Sequence, residues 1–498
     1  MTSPSGPRPS LRDPRRLSAA LRIRIRRELD RRAILRSGFF DAAWYLDRYP
    51  DVARSGTDPA LHYLLHGGRE RRDPGPRFSS ARYLSLYEDV ARAGLNPLLH
   101  YLRHGKAEGR TEAIVPEGRT EIPVDLDAWF PRLAPIRLRA LPGAGPRVSV
   151  VVDSVGPESL FGGVATAIVI GAMIAARRGA ALRVVTRDDA ADRSVVARVL
   201  ARNGIPIPAR LETDRAAVGR GGSVIGDGPD ELWLTTLWTT TAAVLESVPP
   251  ERVIWLLQDD ERIFYPAGDE RQRCAETMAT EGIRILVNTA LLRDHLVAEG
   301  FRNVERSGVA FEPAFPALLP HRPRAAGAPR RLLFHARPTH PRNLYHRGVE
   351  LLDAALADGI LDPAGWEIAF VGTADRPLRF ARGVRSEVLG VLSFDRYLER
   401  VAATDLGLAL MASPHPSYPP LDLAGSGAVV VTTRDGRKQD LSAYSPRILC
   451  AEPTLPGLLA ALAEAVAIAG TEVADPAPGI ARSWEASAGP AIDRILGG

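Results

Sequence analysis

The chain has 498 residues, room for two to four domains at roughly 100–200 residues each. Hydrophobic residues make up 45% and charged residues 25%, which excludes collagen-like, disordered and disulfide-scaffold chains. A net charge of +5 and a pI near 9.4 are mild for this size and point to an acidic ligand or surface, not to nucleic acid.

The only cysteines, Cys274 and Cys450, cannot form a disulfide framework or a zinc site, so a reducing, cytoplasmic setting is expected. The arginine-rich start of the chain lacks the apolar core of a secretory signal. The long uncharged run 159–176 is diluted by Gly162, Gly163, Gly171 and several alanines. It reads as a buried helix of an α/β domain and not as a membrane span.

Residues 1–38 form a basic arm. Leu17, Leu21, Ile25 and Leu29 recur every four residues, with arginines filling most positions between them. On a helix this gives an apolar stripe flanked by cations, which suits either an anionic membrane surface contacted through residues 12–36 or packing against the protein itself. A location at the inner face of the plasma membrane follows from the first of these.

Residues 39–115 hold an internal repeat. FDAAWYLDRYPDVARSGTDPALHYLLHGGRERR is echoed 38 residues later by FSSARYLSLYEDVARAGLNPLLHYLRHGKAEGR, a period that marks stacked supersecondary units. Asp58-Pro59 and Asn96-Pro97 read as a cap followed by proline at the first helical position, so each unit is expected to be two short helices. His62 and His66 have aromatic neighbours and no set of partner ligands, and are read as packing or capping groups.

From residue 145 the pattern becomes strand–helix alternation. Strands are expected at 147–153, 181–186, 231–236, 252–257 and 284–288, with helices at 163–178, 194–203, 238–247, 269–281 and 290–299. This defines a first Rossmann-like domain over 145–320, followed by the linker 321–329. The alternation restarts with strands at 331–336, 366–372, 388–392, 406–411, 428–433 and 447–450, and helices at 343–357, 393–403, 419–427 and 453–468. That is a second such domain over 330–470, and a helix in 471–498 is expected to return to the first. The fold class is therefore α/β, with two doubly wound parallel sheets facing a cleft at their strand C-termini, where ligands bind in such folds.

Four segments could carry chemistry. In HARPTHPRN (335–343), Arg337 and Arg342 lie between a strand end and a helix that Asn343 can cap, a setting suited to a phosphate. A unit charge about 4 Å from another is worth roughly 4 kcal/mol at an effective dielectric of ~20, enough for two arginines to hold a diphosphate firmly. In SPHPSYPPLD (413–422), Pro419-Pro420 start a helix whose first turn should carry Asp422, where a carboxylate can accept from ribose hydroxyls. Gly162-Gly163 opens a helix and lets a ligand approach the backbone. Gln258-Asp259-Asp260-Glu261, followed by Phe264-Tyr265, ends a strand on the other side of the cleft and could position a sugar hydroxyl.

Together these segments resemble the two-Rossmann (GT-B) glycosyltransferases of family 4. They are most similar to bacterial rhamnosyltransferases that extend cell-surface glycans, including the S-layer type. The resemblance spans residues 147–470, and the repeats are similar to ones attached to other polysaccharide-building transferases. It implies a metal-independent, retaining transfer of rhamnose from dTDP-rhamnose to a growing glycan or lipid-linked oligosaccharide, without a cofactor.

By that resemblance Arg337 and Arg342 bind the donor diphosphate, Asp422 stands for the ribose-binding glutamate, and Gly162 and Gly163 approach the transferred sugar. Asn343, Gly372, Ser413, His415, Ser417 and Tyr418 complete the donor side. Gln258, Asp259 and Tyr265 form the acceptor side, with Asp259, Arg337 and Arg342 as the catalytic candidates. The family carries two glutamates eight positions apart, whereas this chain has Pro414 and Asp422. Two other readings stay open: a non-catalytic glycan-binding or scaffold protein, and a transferase using another UDP- or GDP-sugar.

Overall fold

The computed structural model describes residues 19–110, 113–114, 125–156, 162–219, 223–471 and 473–497. The first eighteen residues of the arm, most of 111–124 and Ser159, Leu160 and Phe161 lie outside that set. The chain forms two compact units, residues 1–124 and 125–498.

In the smaller unit each repeat folds the same way, and into more pieces than two helices. The first has helices Ala42–Arg48, Pro50–Ser55 and Pro59–His62, the last continuing into a π-helical turn, Tyr63–Gly67. The second has Ser80–Leu86, Glu88–Arg92, Pro97–His100 and the turn Tyr101–Gly105. The break inside the first expected helix falls before Pro50, which disfavours helical backbone at Tyr49. Asp58 and Asn96 cap as expected, accepting from Leu61 N at 2.8 Å and Leu99 N at 3.0 Å.

The histidines serve the packing. Tyr45 Oη lies 3.1 Å from His62 Nδ1, and Tyr83 Oη lies 3.0 Å from His100 Nδ1. A Cβ on Gly67 would stand 2.1 Å from that Tyr45 hydroxyl, and one on Gly105 equally close to Tyr83. The spacing of Tyr, His and Gly is thus one interlocked contact built twice.

The larger unit contains two large parallel sheets, beside a two-stranded parallel pair formed by Leu138–Ala140 and Ile225–Asp227. The first is built from β1 (Arg147–Val152), β2 (Ala181–Thr186), β3 (Leu211–Arg215), β4 (Glu231–Thr235), β5 (Val253–Leu257), β6 (Arg284–Asn288) and β7 (Gly308–Phe311), in the order β3-β2-β1-β4-β5-β6-β7. The second is built from β8 (Arg330–Ala336), β9 (Trp366–Gly372), β10 (Glu387–Gly390), β11 (Leu406–Leu408), β12 (Val429–Thr433) and β13 (Ile448–Ala451), ordered β10-β9-β8-β11-β12-β13. Both share the Rossmann order, reversing beside the first strand, and together they make the two-Rossmann, GT-B-like architecture.

Helices cover both faces of each sheet, so strands such as RVSVVV read as continuous β-branched runs instead of alternating ones. The helix Gly163–Arg177 is apolar for the same reason, with ten buried residues lying on the first sheet. The last helix, Trp484–Gly497, packs into that same core through Trp484, Ala488, Ile492 and Ile495. Among the described residues no helix is long and apolar enough to cross a membrane.

Candidate functional site

The C-terminal ends of β1, β5, β8 and β9 and the loop after β11 open onto one cavity of about 1150 Å³ between the two lobes. It is lined by Arg337, Arg342, Asn343, Gly372, His415, Ser417, Tyr418 and Asp422 from the second lobe, and by Gly162, Gly163, Gln258 and Asp259 from the first. Sequence positions 162 to 422 thus meet in one place.

The second-lobe wall is built for an anion. Arg337 Nη2 bonds His340 Nε2 at 2.8 Å, and among the described residues no carboxylate pairs with it. Arg342 lies with its guanidinium 4.1 Å from the Phe264 ring centre, and its Nη1 is 3.6 Å from Asp259 Oδ2 across the cleft. Burial and the arginines push His340 down to about 4, and burial with Arg337 pushes His335 down to about 3. Both imidazoles are therefore neutral at pH 7 and add no net charge to the two guanidinium groups.

Asn343 does not cap the following helix. That helix, Tyr345–Ala357, starts after Leu344, whose left-handed backbone (φ 48°) ends the 3-10 turn Pro341–Asn343. Asn343, on the cavity wall, is left with its Nδ2 on Met411 Sδ and, among the described residues, no partner for its Oδ1.

The loop 413–422 is also displaced from its expected geometry. The helix is Tyr418–Gly425, with Ser417 before it at φ 69°, so Asp422 falls just beyond the first turn. It is no N-terminal charge: burial raises it to about 7, and Tyr397 Oη donates to its Oδ2 at 2.9 Å. Ser413 is not on the cavity wall; its Oγ donates to Asp259 Oδ1 at 2.6 Å, tying the lobes together. Tyr418 lines the cavity with its ring, while its hydroxyl bridges to the first lobe, 2.6 Å from Thr166 Oγ1 and 2.8 Å from Asn288 Nδ2.

On the first lobe, Gly162 takes φ 74° at the start of the helix, where an added Cβ would press to 3.3 Å from the Tyr418 ring. Gln258 Nε2 donates to Gly163 O at 3.1 Å. Asp259 faces Arg342, and burial raises it. Asp260 turns away to Arg262 at 2.6 Å and His295 at 3.5 Å, so this acidic run does not present two neighbouring carboxylates to the cleft. Tyr265 is not on the wall either. Its hydroxyl accepts from Trp238 Nε1 at 2.9 Å, because the turn Glu261–Phe264 carries it back against the sheet.

Two further groups stand beside these: Glu261, the last of the acidic run 258–261, and Lys438, which its sequence context did not single out. Glu261 lines the cavity and accepts from Trp238 N at 2.7 Å, and burial raises it to about 8. Lys438 is wholly buried, donates to Met411 O at 2.8 Å and is pushed down to about 8 by burial.

Among the described residues, six side-chain atoms on this one cavity are buried without a hydrogen-bond partner: Gln258 Oε1, His335 Nδ1, Arg342 Nε, Asn343 Oδ1, Thr373 Oγ1 and His415 Nε2. Buried polar groups are nearly always satisfied in a folded protein. A concentration of unsatisfied ones, both donors and acceptors, is the mark of a site that receives a polar ligand.

Three comparisons with known proteins bear on this chain. Residues 330–463 match the family described as WsaF, C-terminal domain. The chain is 35% identical over 281 residues to the O-antigen biosynthesis protein RfbC of Myxococcus xanthus, covering 54% of this chain and 20% of that protein. It thus spans about a fifth of the length of the curated relative it matches.

Solved structures with a similar course include Anabaena HepE in complex with UDP and glucose, at 14% identity and a TM-score of 0.45, covering 65% of this chain and 90% of that one. Another is WaaG, described as a glycosyltransferase involved in lipopolysaccharide biosynthesis, at 14% identity and a TM-score of 0.44, covering 70% of this chain and 100% of that one.

Proposed function

We propose that this chain is a glycosyltransferase of bacterial cell-surface polysaccharide assembly that transfers rhamnose from dTDP-rhamnose, with retention and without a metal ion. The observation that carries this reading is the convergence of two guanidinium groups and six unsatisfied buried polar atoms on one interlobe cavity. The similarity to an O-antigen biosynthesis protein supports the polysaccharide setting.

In this reading Arg337 and Arg342 take the donor diphosphate. As the glycosidic bond breaks, negative charge grows on the leaving diphosphate, and fixed cations stabilise that state more than the ground state. Asp422, braced by Tyr397, accepts from a ribose hydroxyl. Gly162 and Gly163 let the sugar reach the backbone. Asp259 positions Arg342, with Ser413 fixing its other oxygen.

The first-lobe wall contributes the carboxyl groups of Asp153, Asp259 and Glu261. Carboxyl groups of this kind, with that of Glu261 held protonated by burial, can both accept from and donate to the hydroxyls of a neutral acceptor sugar.

The test is a donor screen with dTDP-, UDP- and GDP-sugars on a rhamnose-bearing acceptor, with the product detected by mass spectrometry. Transfer of a deoxyhexose from dTDP-rhamnose is the expected result. Transfer from a UDP- or GDP-sugar alone would replace the donor assignment. Failure of every donor, together with no thermal stabilisation by dTDP or UDP, would favour a non-catalytic glycan-binding protein. The presence of Pro414 and Asp422 at the two positions where family 4 enzymes carry glutamate is the observation behind that second reading.

A further inference from the structure

The helix Ala19–Arg36 lies against the repeats by one side only. Ile34 is fully buried in the repeat core. Asp30 pairs with Arg103 of the second repeat, and Arg31 reaches Asp58 of the first at 2.6 Å. The helix therefore straddles both repeats, and residues 30, 31 and 34 define its docked side.

At 3.6 residues per turn, positions 25, 29, 32 and 36 share a strip on the side opposite Ile34. Ile25 is 43% exposed and Leu29 59% exposed there, and Arg32 and Arg36 continue the strip. Arg24 and Arg26 flank it on either side, both exposed. An isoleucine and a leucine in open solvent, ringed by arginine and turned away from the unit's own core, form an unusual surface for an ordinary helix.

The charge is confined to this arm. Residues 1–38 contain eleven arginines against Asp13, Glu28 and Asp30, a net of +8 where the whole chain carries +5, so the remaining residues sum to −3. Two of the three acids are already engaged, Glu28 by Arg32 at 2.8 Å and Asp30 by Arg103.

We infer that the outward side of helix Ala19–Arg36 docks on an anionic lipid surface, with Ile25 and Leu29 entering the headgroup boundary and the arginines meeting lipid phosphates. Each basic residue near such a surface contributes about 1 kcal/mol, and the attraction falls with salt. The apolar pair adds a term that charge alone would not provide. The inference is independent of the sugar donor.

The test is flotation of the full chain with vesicles of phosphatidylcholine alone and of phosphatidylcholine mixed with phosphatidylglycerol, without any nucleotide. Binding is expected to the mixed vesicles only, reduced by about tenfold or more in Ile25→Asp/Leu29→Asp. The charge variant Arg24→Gln/Arg26→Gln/Arg36→Gln, which leaves the apolar pair in place, should bind more weakly and with a shallower salt dependence. Both variants should melt like the parent chain, since every altered side chain is exposed.

Three results would overturn the inference: no flotation with anionic vesicles, equal flotation with both vesicle types, or undiminished binding by folded Ile25→Asp/Leu29→Asp. A fourth would be a change of oligomeric state in that variant by light scattering with vesicle binding unaltered, which would assign the strip to a second copy of this chain.

Discussion

The larger unit contains two arginine clusters, one buried and one half-buried, at opposite ends of its sheets. Near the N-terminal ends of the first sheet's strands, Arg183 is fully buried and bonds Glu231 Oε1 at 2.5 Å, Ser149 Oγ at 2.7 Å and Gly226 O at 2.9 Å. Arg147 adds Glu231 Oε2 at 2.7 Å, and Arg183 stacks on Trp233 at 5.2 Å. At the C-terminal ends of the second sheet's strands, Arg337 has a neutral histidine and Arg342 a single carboxylate at 3.6 Å. The first cluster is supplied with its counter-charges by the protein, whereas the second is not. Where charges are matched within the chain they fasten the fold; where they are left under-matched, they leave room for a ligand's charge.

The sharpest way to break this contrast is at Glu231. Replacing it by alanine leaves Arg183 buried beside Arg147 without the carboxylate they share. A loss of roughly 3–5 kcal/mol is expected, read as a large drop in melting temperature, and any activity lost goes with the fold. A variant as stable as the parent would mean that the network is not structural.

The complementary change is at the other end. Arg337→Ala and Arg342→Ala should each lower sugar transfer by roughly 10²–10³ in kcat, as when a charge-stabilising donor is removed from a reaction centre. Melting should move little for Arg337→Ala, because among the described residues that guanidinium has no carboxylate to abandon. Full activity in both variants would refute the phosphate site.

Much of this was legible in the sequence, and the exceptions share a cause. Strands β1, β2, β8 and β9 announce themselves because burial on both faces demands apolar runs. Strand β3 reads LETDR, a charged edge, and β7 is four residues long, so neither has a pattern to detect. The loops 335–343 and 413–422 could be found from their strand ends and their density of proline, arginine and histidine. Tyr397 and Lys438 could not.

Tyr397 sits on a helix 25 residues upstream of its partner Asp422. Lys438 belongs to RDGRKQD, a segment that looks like a solvated turn and is instead folded inward. Local composition reports what a loop can do, whereas the partner that fixes a carboxylate from another element is set by tertiary packing. The same holds for Tyr265, whose place beside a polar run suggested the cleft but whose ring packs on Trp238.

Weaker than either arginine cluster is the bridge made by Tyr418. Tyr418→Phe keeps the ring against Gly162 but removes the hydroxyl shared by Thr166 and Asn288 of the other lobe. At about 1 kcal/mol for each net hydrogen bond, the loss of two should lower turnover by roughly thirtyfold. The KM for donor should rise with it, because the bridge holds the cleft closed and does not bind the leaving group. Thr166→Val should reproduce part of the effect. Unchanged kinetics in both would make the bridge incidental.

The finest test concerns Asp422, whose carboxyl burial has raised to about 7. In the ligand-free protein a carboxyl with its pKa raised on folding contributes stability that is complete below its unfolded pKa near 3.8 and is lost as pH climbs through about 7. Nucleotide binding should run the other way, since a ribose hydroxyl donates better to the carboxylate than to the acid, so affinity should increase between about pH 6 and pH 8.

The two slopes have opposite signs and a common origin, and Asp422→Asn should flatten both. Tyr397→Phe removes a hydrogen bond that favours the charged form, and should shift both midpoints upward without abolishing either. Calorimetric titration with dTDP across this range, beside melting curves of the free protein, separates the cases. If affinity is flat with pH while the stability slope persists, Asp422 is buried beside the nucleotide site and does not touch the ribose.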